Sequence, residues 1–152
     1  MIKCKFTLKR NNLKQTEITR RLSELQKKTL KVGVFSEDGA SNVTTATRNH
    51  LGLGGVIQRP FIAQPMEKNQ GEIFENMKSV VENTIEQTST IGSSSTTLED
   101  VGELIVEKIN SSIEQKEYTP NPEHVQKEKG SDTPLVIDGT LKNAIKSKVV
   151  ND

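Results

Sequence analysis

The sequence has few of the residues on which disulfide, metal and catalytic sites depend. Its single cysteine, Cys4, excludes a disulfide within the chain, so we expect a protein made in the cytosol. The two histidines, His50 and His124, stand far apart in polar segments, and neither has a cysteine or carboxylate at metal-ligand spacing. We therefore predict that both are exposed loop residues, and that the protein has no metal site and no cofactor.

Long apolar runs are also missing from the chain. At the N-terminus, Lys3, Lys5, Lys9 and Arg10 interrupt the apolar residues. A membrane-spanning helix needs about 20 consecutive apolar residues, and a signal peptide needs a shorter uninterrupted run. We predict neither a signal peptide nor contact with a membrane.

Apolar and aromatic residues are scarce as well. Hydrophobic residues make up 32% of the chain and aromatic residues 3%, and there is no tryptophan. Globular chains have ~45–50% apolar residues when glycine is counted. A chain of 152 residues fits one domain, 1–152, with one small core. Two interpretations stay open: long solvated loops, or a subunit whose core is completed by neighbours in an assembly.

Positive charge is concentrated at the start of the chain. Residues 1–31 carry ten Lys or Arg and two Glu, a net charge of +8, so residues 32–152 carry −7. This asymmetry suits a surface that contacts nucleic acid, or head-to-tail stacking of subunits through complementary charge, or simply a solvated basic helix and strand.

Hydrophobic periodicity predicts an α+β fold with a small mixed or antiparallel sheet packed against two long helices. Strands are predicted over 2–8, over 31–36 and in the C-terminal "IKSKVV". A basic helix is predicted over 13–28, and the two long helices over 66–87 and 98–115. The second long helix should begin with a capping box of Thr96 and Glu99. Its apolar stripe comprises Leu98, Val101, Ile105, Ile109 and Ile113.

Three segments are predicted to be irregular. Residues 40–58 should form a loop with one short helical turn. This segment is not a phosphate-binding loop, because its glycines are not spaced as such a loop requires and no lysine follows them. Residues 88–97 should be a flexible linker between the helices. Residues 116–134 contain three prolines and many charges, so we expect an extended arm without a core element, disordered in the monomer and ordered only on docking. An ordinary surface loop is the alternative.

Catalytic groups do not form a convincing constellation. Cys4 points inward on a predicted strand, where a thiol behaves as a small hydrophobe. The carboxylates Glu99, Asp100 and Glu103 fall in a helix first turn, where the helix dipole favours acids. The basic helix lacks an aromatic side chain on which bases could stack. The chain is therefore predicted not to be an enzyme, and a small nucleic-acid-binding module is kept as an alternative from a different class.

Arg59, Pro60 and Phe61 stand out in an apolar run of this aromatic-poor chain. Proline fixes its own φ angle and biases the preceding residue toward an extended backbone. We predict a stiff arm that presents Arg59 and Phe61 to a partner, so that Arg59→Ala and Phe61→Ala leave the monomer folded but prevent assembly. The alternative is that Phe61 covers the core of its own domain.

Two segments resemble a known family. "NHLGLGGVIQRPFI", residues 49–62, is similar to N-E-F-G-x…I-P-x-R-P-F-[LI]. "KGSDTPLVIDGTLKNAI", residues 129–145, is similar to K-G-S-x-x-P-L-I-D-T-G-x-L-[RK]-N-[SA]-I. These motifs recur in the tail-completion (neck) proteins of long-tailed bacteriophages. A motif similar to the second one also occurs in Mu-type virion-morphogenesis proteins. His50, Leu51, Ile57 and the Ile137-Asp138 pair depart from the motifs.

The resemblance implies a structural virion protein that is made in the host bacterial cytoplasm and joins the head to the tail. Such proteins are expected to form a homo-oligomeric ring, most simply a hexamer, between a head-completion protein and the tail terminator or tail tube, with DNA passing through the lumen unrecognised. The tail terminator of the same virion is the alternative station. The expected interface residues are Arg59, Pro60, Phe61, Ile62, Tyr118, Lys127, Lys129, Pro134 and Leu135.

Overall fold

The computed structural model describes residues 12–86, 96–115, 117–130, 135 and 140–151. Within these ranges the chain has an α+β fold of seven α-helices and a two-stranded antiparallel sheet, which confirms the predicted fold class. The helices are α1 (Asn12–Gln26), α2 (Ala40–Leu51), α3 (Ala63–Lys68), α4 (Gln70–Glu86), α5 (Leu98–Glu114), α6 (Glu123–Lys129) and α7 (Thr140–Ala144). The strands are β1 (Lys28–Val34) and β2 (Ile145–Asn151).

Helix α5 lies at the centre of the fold, in contact with α3, α4 and both strands. The whole predicted stripe of this helix is buried: Leu98, Val101, Ile105, Ile109 and Ile113. The capping box is formed by Thr97, whose Oγ1 accepts the backbone N–H of Asp100, and by the Asp100 carboxylate, which accepts the backbone N–H of Thr97. The predicted box of Thr96 and Glu99 is therefore wrong by one residue. Both pairs have the required spacing, so spacing alone could not separate them.

The long helix predicted over 66–87 is confirmed as α4, which begins at Gln70. The first residues of the predicted segment belong to the separate short helix α3. Val80 is buried, and Ile73 packs against the same core. Glu72 at the start of α4 forms an ion pair with Lys108 of α5 at 2.8 Å. Helix α1 also contacts α4, and its Leu25 reaches the core.

The sheet pairs the two strands along their full length, from Lys28 opposite Asn151 to Val34 opposite Ile145. The C-terminal strand is confirmed, and β1 begins and ends earlier than the predicted segment 31–36. Leu30 and Val32 of β1 and Val149 of β2 pack on the core. The predicted strand over 2–8 and all but the last two residues of the predicted linker over 88–97 lie outside the described residues.

The prediction that residues 40–58 form a loop is wrong, because 40–51 form helix α2. Its threonines have low helix propensity, which hid the helix. In the fold the hydroxyls of Thr44 and Thr47 donate to backbone carbonyls one turn earlier, at 3.0 and 2.8 Å. The helix ends at Gly52, which has a left-handed backbone (φ 71°) and donates its N–H to the carbonyl of Arg48.

The prediction that 116–134 contains no core element is also wrong. Tyr118 belongs to the core, and residues 123–129 form helix α6. Pro122 precedes this helix, and Gly130 ends it with a left-handed backbone of φ 65°. A proline at the start and a glycine just past the end are helix boundary signals. Proline and glycine also occur in irregular segments, which is why the composition of 116–134 did not predict the short helix that Pro122 and Gly130 delimit.

Candidate functional site

The first family-like segment, 49–62, contains the buried side chain of Arg59. Only 3% of this residue is exposed. Its Nε donates to the carbonyl of Thr119 at 2.9 Å, and its Nη2 donates to Asn121 Oδ1 at 3.1 Å and to the carbonyl of Pro120 at 3.3 Å. On the other side, Nη1 donates to Asn49 Oδ1 at 3.4 Å. Arg59 therefore ties the end of α2 to the segment that leads into α6.

The acceptors around this guanidinium are all neutral oxygens. Burial lowers the pKa of Arg59 from its ordinary value, because a low-polarity surrounding disfavours the charged form. An arginine nevertheless keeps its charge in proteins, so the carbonyl and amide dipoles must stabilise it. Each of these polar groups has a role inside the chain, which makes this cluster a structural junction.

Phe61 occupies the core with 0% of its surface exposed. The ring of His50 meets it edge-on, with the ring centroids 5.5 Å apart and the planes at 84°. Pro60 and Ile62 are half-buried, and the Pro60 carbonyl accepts the N–H of Gln64 at the beginning of α3. The prediction that this triplet is an exposed arm is wrong, and the alternative, in which Phe61 fills the chain's own core, is confirmed. Its ring supplies volume to the core of a chain that has few aromatic residues.

Tyr118 is likewise internal, with 6% exposed. Its hydroxyl lies 2.9 Å from Ser112 Oγ, which also donates to Glu117 Oε2 at 2.6 Å. Lys68 donates to the other Glu117 oxygen, and this bond lowers the pKa of that carboxyl. Burial raises the pKa of the Tyr118 hydroxyl. The expectation that Tyr118 is an aromatic anchor available to a partner is therefore wrong for this monomer.

The second family-like segment contributes mainly core residues. Leu135 is buried with a left-handed backbone of φ 65°, and Leu141 and Ile145 join the cluster that contains Phe61. Because these residues share one cluster with Phe61, the two segments are neighbours in the fold. Lys127 is exposed on α6. The side chain of Lys129, and the whole of Pro134, lie outside the described residues.

The remaining candidates do not converge on one site. His124 is exposed but lies on α6, whereas His50 is half-buried at the end of α2, so the prediction of two exposed loop histidines is wrong. Within the described ranges, no group of three His, Cys, Asp or Glu side chains is placed to hold a metal ion. Arg20 of the basic helix α1 forms ion pairs with Glu17 and Glu24. Of the helices described, none combines the length and apolar character that crossing a membrane requires.

One face of α4 is apolar and exposed, and none of its residues is among the predicted interface residues. The exposed fractions are 66% for Phe74, 38% for Met77, 41% for Val81 and 39% for Ile85. These four side chains, here called the α4 stripe, follow one another along the same side of the helix. Their spacing was visible in the sequence, but Ile73 and Val80 share the same periodicity, and only the fold shows which residues face α5.

Comparisons with protein-family models, with curated proteins and with solved structures give no match to this chain.

Proposed function

We propose that this chain is a structural subunit of the neck of a long-tailed bacteriophage, in the tail-completion ring that joins head to tail. The observation that carries the proposal is the meeting of two family-like segments, 49–62 and 129–145, in one hydrophobic cluster. Phe61 from the first segment and Leu135, Leu141 and Ile145 from the second belong to it. Residues that pack against each other in a core constrain each other's size and shape. Proteins of similar fold are therefore expected to have similar residues at these positions.

The contacts of Arg59 support a structural role for the first segment. Asn49 at the end of α2 and Asn121 before α6 both accept from its guanidinium. The Arg-Pro-Phe triplet thus supports the scaffold, and in the proposed ring the contacts between subunits fall elsewhere on the surface. This replaces the earlier expectation of an Arg59 and Phe61 arm at the interface.

The proposed role involves no reaction, metal or cofactor. Copies of the chain form a homo-oligomeric ring, most simply a hexamer. One side of the ring faces a head-completion protein and the other faces the tail terminator or tail tube, while DNA passes through the lumen. The tail terminator of the same virion is the alternative station for this fold.

Labelling of virions tests the location. Antibodies raised against the purified protein and coupled to gold should bind at the head-proximal end of the tail in negatively stained, partly disrupted particles. Labelling along the tail, on the capsid or nowhere on the particle would contradict the proposal. Isolated tails and isolated heads serve as separate samples, because they show on which side of the joint the ring stays.

A further inference from the structure

The arginines of the basic helix α1 are paired with acids of the same helix. Arg20 binds Glu17 at 2.7 Å and Glu24 at 2.5 Å, and Arg21 binds Glu17 at 2.9 Å. Two positive side chains are therefore matched by two negative ones on one helix surface. The excess positive charge that the sequence places before residue 32 must be presented elsewhere.

Three lysines at the corner between α1 and β1 present part of that charge. Lys27 lies in the turn after α1, Lys28 is the first residue of β1, and Lys31 follows three residues later. All three are exposed, and none of their side chains has an ion-pair or hydrogen-bond partner among the residues that the structure describes. We call these three residues the lysine corner.

The strand register adds to the positive potential at this corner. Lys31 is directly opposite Lys148 of β2, and like charges at directly opposite positions destabilise a sheet. Glu37 offsets the charge of Lys148 at 2.9 Å, and Lys146 also has an interaction within the chain, so neither is counted in the lysine corner. Lys31 has no such offset. Its charge therefore brings the fold no stabilisation, as expected for a residue that binds an external anion.

The composition of the corner favours phosphate groups over a protein surface. Leu30, the one apolar residue within 26–31, packs on the core and is not offered to a partner. Protein interfaces are depleted in lysine and centre on apolar or aromatic anchors. Lysine and arginine, by contrast, make the contacts to phosphate oxygens that hold a protein on nucleic acid.

The same composition excludes a reading of the bases by this corner. Helix α1 and strand β1 contain no aromatic residue on which an unpaired base could stack. Lysines that contact only phosphates carry no sequence information. The expected ligand is therefore the backbone of a duplex, bound equally well whatever its sequence.

The spacing of the lysines suits such a backbone. Lys28 and Lys31 start about 10 Å apart along the strand, at about 3.3 Å per residue. Duplex DNA carries one negative charge per about 1.7 Å of its axis, so about six phosphates occupy that length. The two residues extend to opposite faces of β1, and their long flexible stems let both ammonium groups turn toward one line of phosphates.

From these observations we infer that the lysine corner binds the phosphate backbone of duplex DNA without reading its sequence. Each ammonium group that approaches a phosphate releases a counterion from the DNA, and this release drives the binding. The inference goes beyond the proposed neck function and concerns the purified protein alone. Its failure is therefore distinct from failure to find the protein in a neck.

The test measures how the affinity for a short fluorescent duplex depends on salt. The variants are Lys31→Gln and the triple change Lys27→Gln, Lys28→Gln and Lys31→Gln. The matched control is Lys127→Gln, which removes the same charge from an exposed residue of α6. Circular dichroism shows that each protein is folded, and fluorescence anisotropy gives the dissociation constant at several salt concentrations.

The slope of log affinity against log salt should become shallower by about 0.9 for each lysine removed, and so by about 2.7 in the triple variant. Between about 50 mM and about 200 mM salt, wild type should therefore lose about fortyfold more affinity than the triple variant. Lys127→Gln should keep the wild-type slope. Two duplexes of unrelated sequence should bind wild type equally.

Four results would overturn the inference. The first is a wild-type protein that does not bind the duplex, and the second is a triple variant with the wild-type slope, which would place any binding elsewhere on the chain. The third is an equal change of slope in Lys127→Gln and Lys31→Gln. The fourth is wild type that binds polyglutamate in preference to DNA, which would assign the lysine corner to an acidic protein.

Discussion

Ser147 of β2 lies directly against the backbone of Gly102 in α5. A Cβ atom added at Gly102 would be 2.6 Å from Ser147 Oγ and 2.9 Å from Leu30 Cδ1. Glycine within a helix costs about 1 kcal/mol relative to alanine. Here that cost is offset by the close approach of helix and sheet on which the core depends.

Gly102→Ala should therefore destabilise the fold, by about 1–3 kcal/mol, because overpacking outweighs the gain in helix propensity. Gly71→Ala is the matched control, since Gly71 is in α4 and nothing lies within 4 Å of its added Cβ. The control should be neutral or stabilising by up to about 1 kcal/mol. Urea unfolding of both variants measures the difference, and equal effects at the two glycines would disprove the close contact.

Phe61→Ala should lower the free energy of unfolding by about 3–5 kcal/mol, because it removes a fully buried ring. Phe74→Ala makes the same chemical change at a residue that is 66% exposed, and it should alter stability by less than about 0.5 kcal/mol. Chemical denaturation of the pair measures both values. A small loss of unfolding free energy in Phe61→Ala would indicate that the Phe61 side chain is exposed, as in a surface arm.

Thr97→Ala should cost about 1 kcal/mol of stability, because it removes the side-chain acceptor at the start of α5. Thr96→Ala should cost much less, since Thr96 uses its backbone carbonyl, which accepts from Asn83, and that carbonyl survives the substitution. Thermal unfolding of the two variants separates the observed cap from the cap predicted at Thr96. A larger effect at Thr96 would favour the predicted register.

Glu117 should make stability depend on pH. Its bond with Lys68 lowers the pKa of the carboxyl below its ordinary value of 4.5 in the folded protein. The stabilisation is therefore complete above pH 4.5 and is lost as the pH falls through the lower folded value. Glu117→Gln should lose less stability than wild type between about pH 6 and about pH 3. Parallel pH profiles for the two proteins would show that the ion pair contributes nothing.

The sequence predicted elements well where periodicity was long and was poorer where it was short. The stripe from Leu98 to Ile113 covers several turns, which fixes both the type of α5 and its buried face. Helix α2 lacks such a stripe, with Ala46 as its one buried residue, so its polar sequence resembled a loop. The core position of Phe61 depends on contacts with residues distant in sequence, which no local pattern contains.

The buried arginine shows the same limit for the candidate site. The prolines around Arg59 predicted a restricted backbone, but they did not predict the direction of its side chain. That direction is set by acceptors about sixty residues away, at Thr119 and Asn121. No local pattern around Arg59 contains these acceptors, so the sequence predicted an exposed arm where the fold has a buried junction.

Deletion of the gene from the phage genome that carries it, followed by electron microscopy of the lysate, tests the proposed function most directly. Tails of irregular length would favour the alternative station, the tail terminator. The tail-completion role predicts DNA-filled heads and tails of normal length that stay separate, and that join when purified protein is added to the lysate. Complete, infectious particles in a lysate that lacks the protein would contradict it.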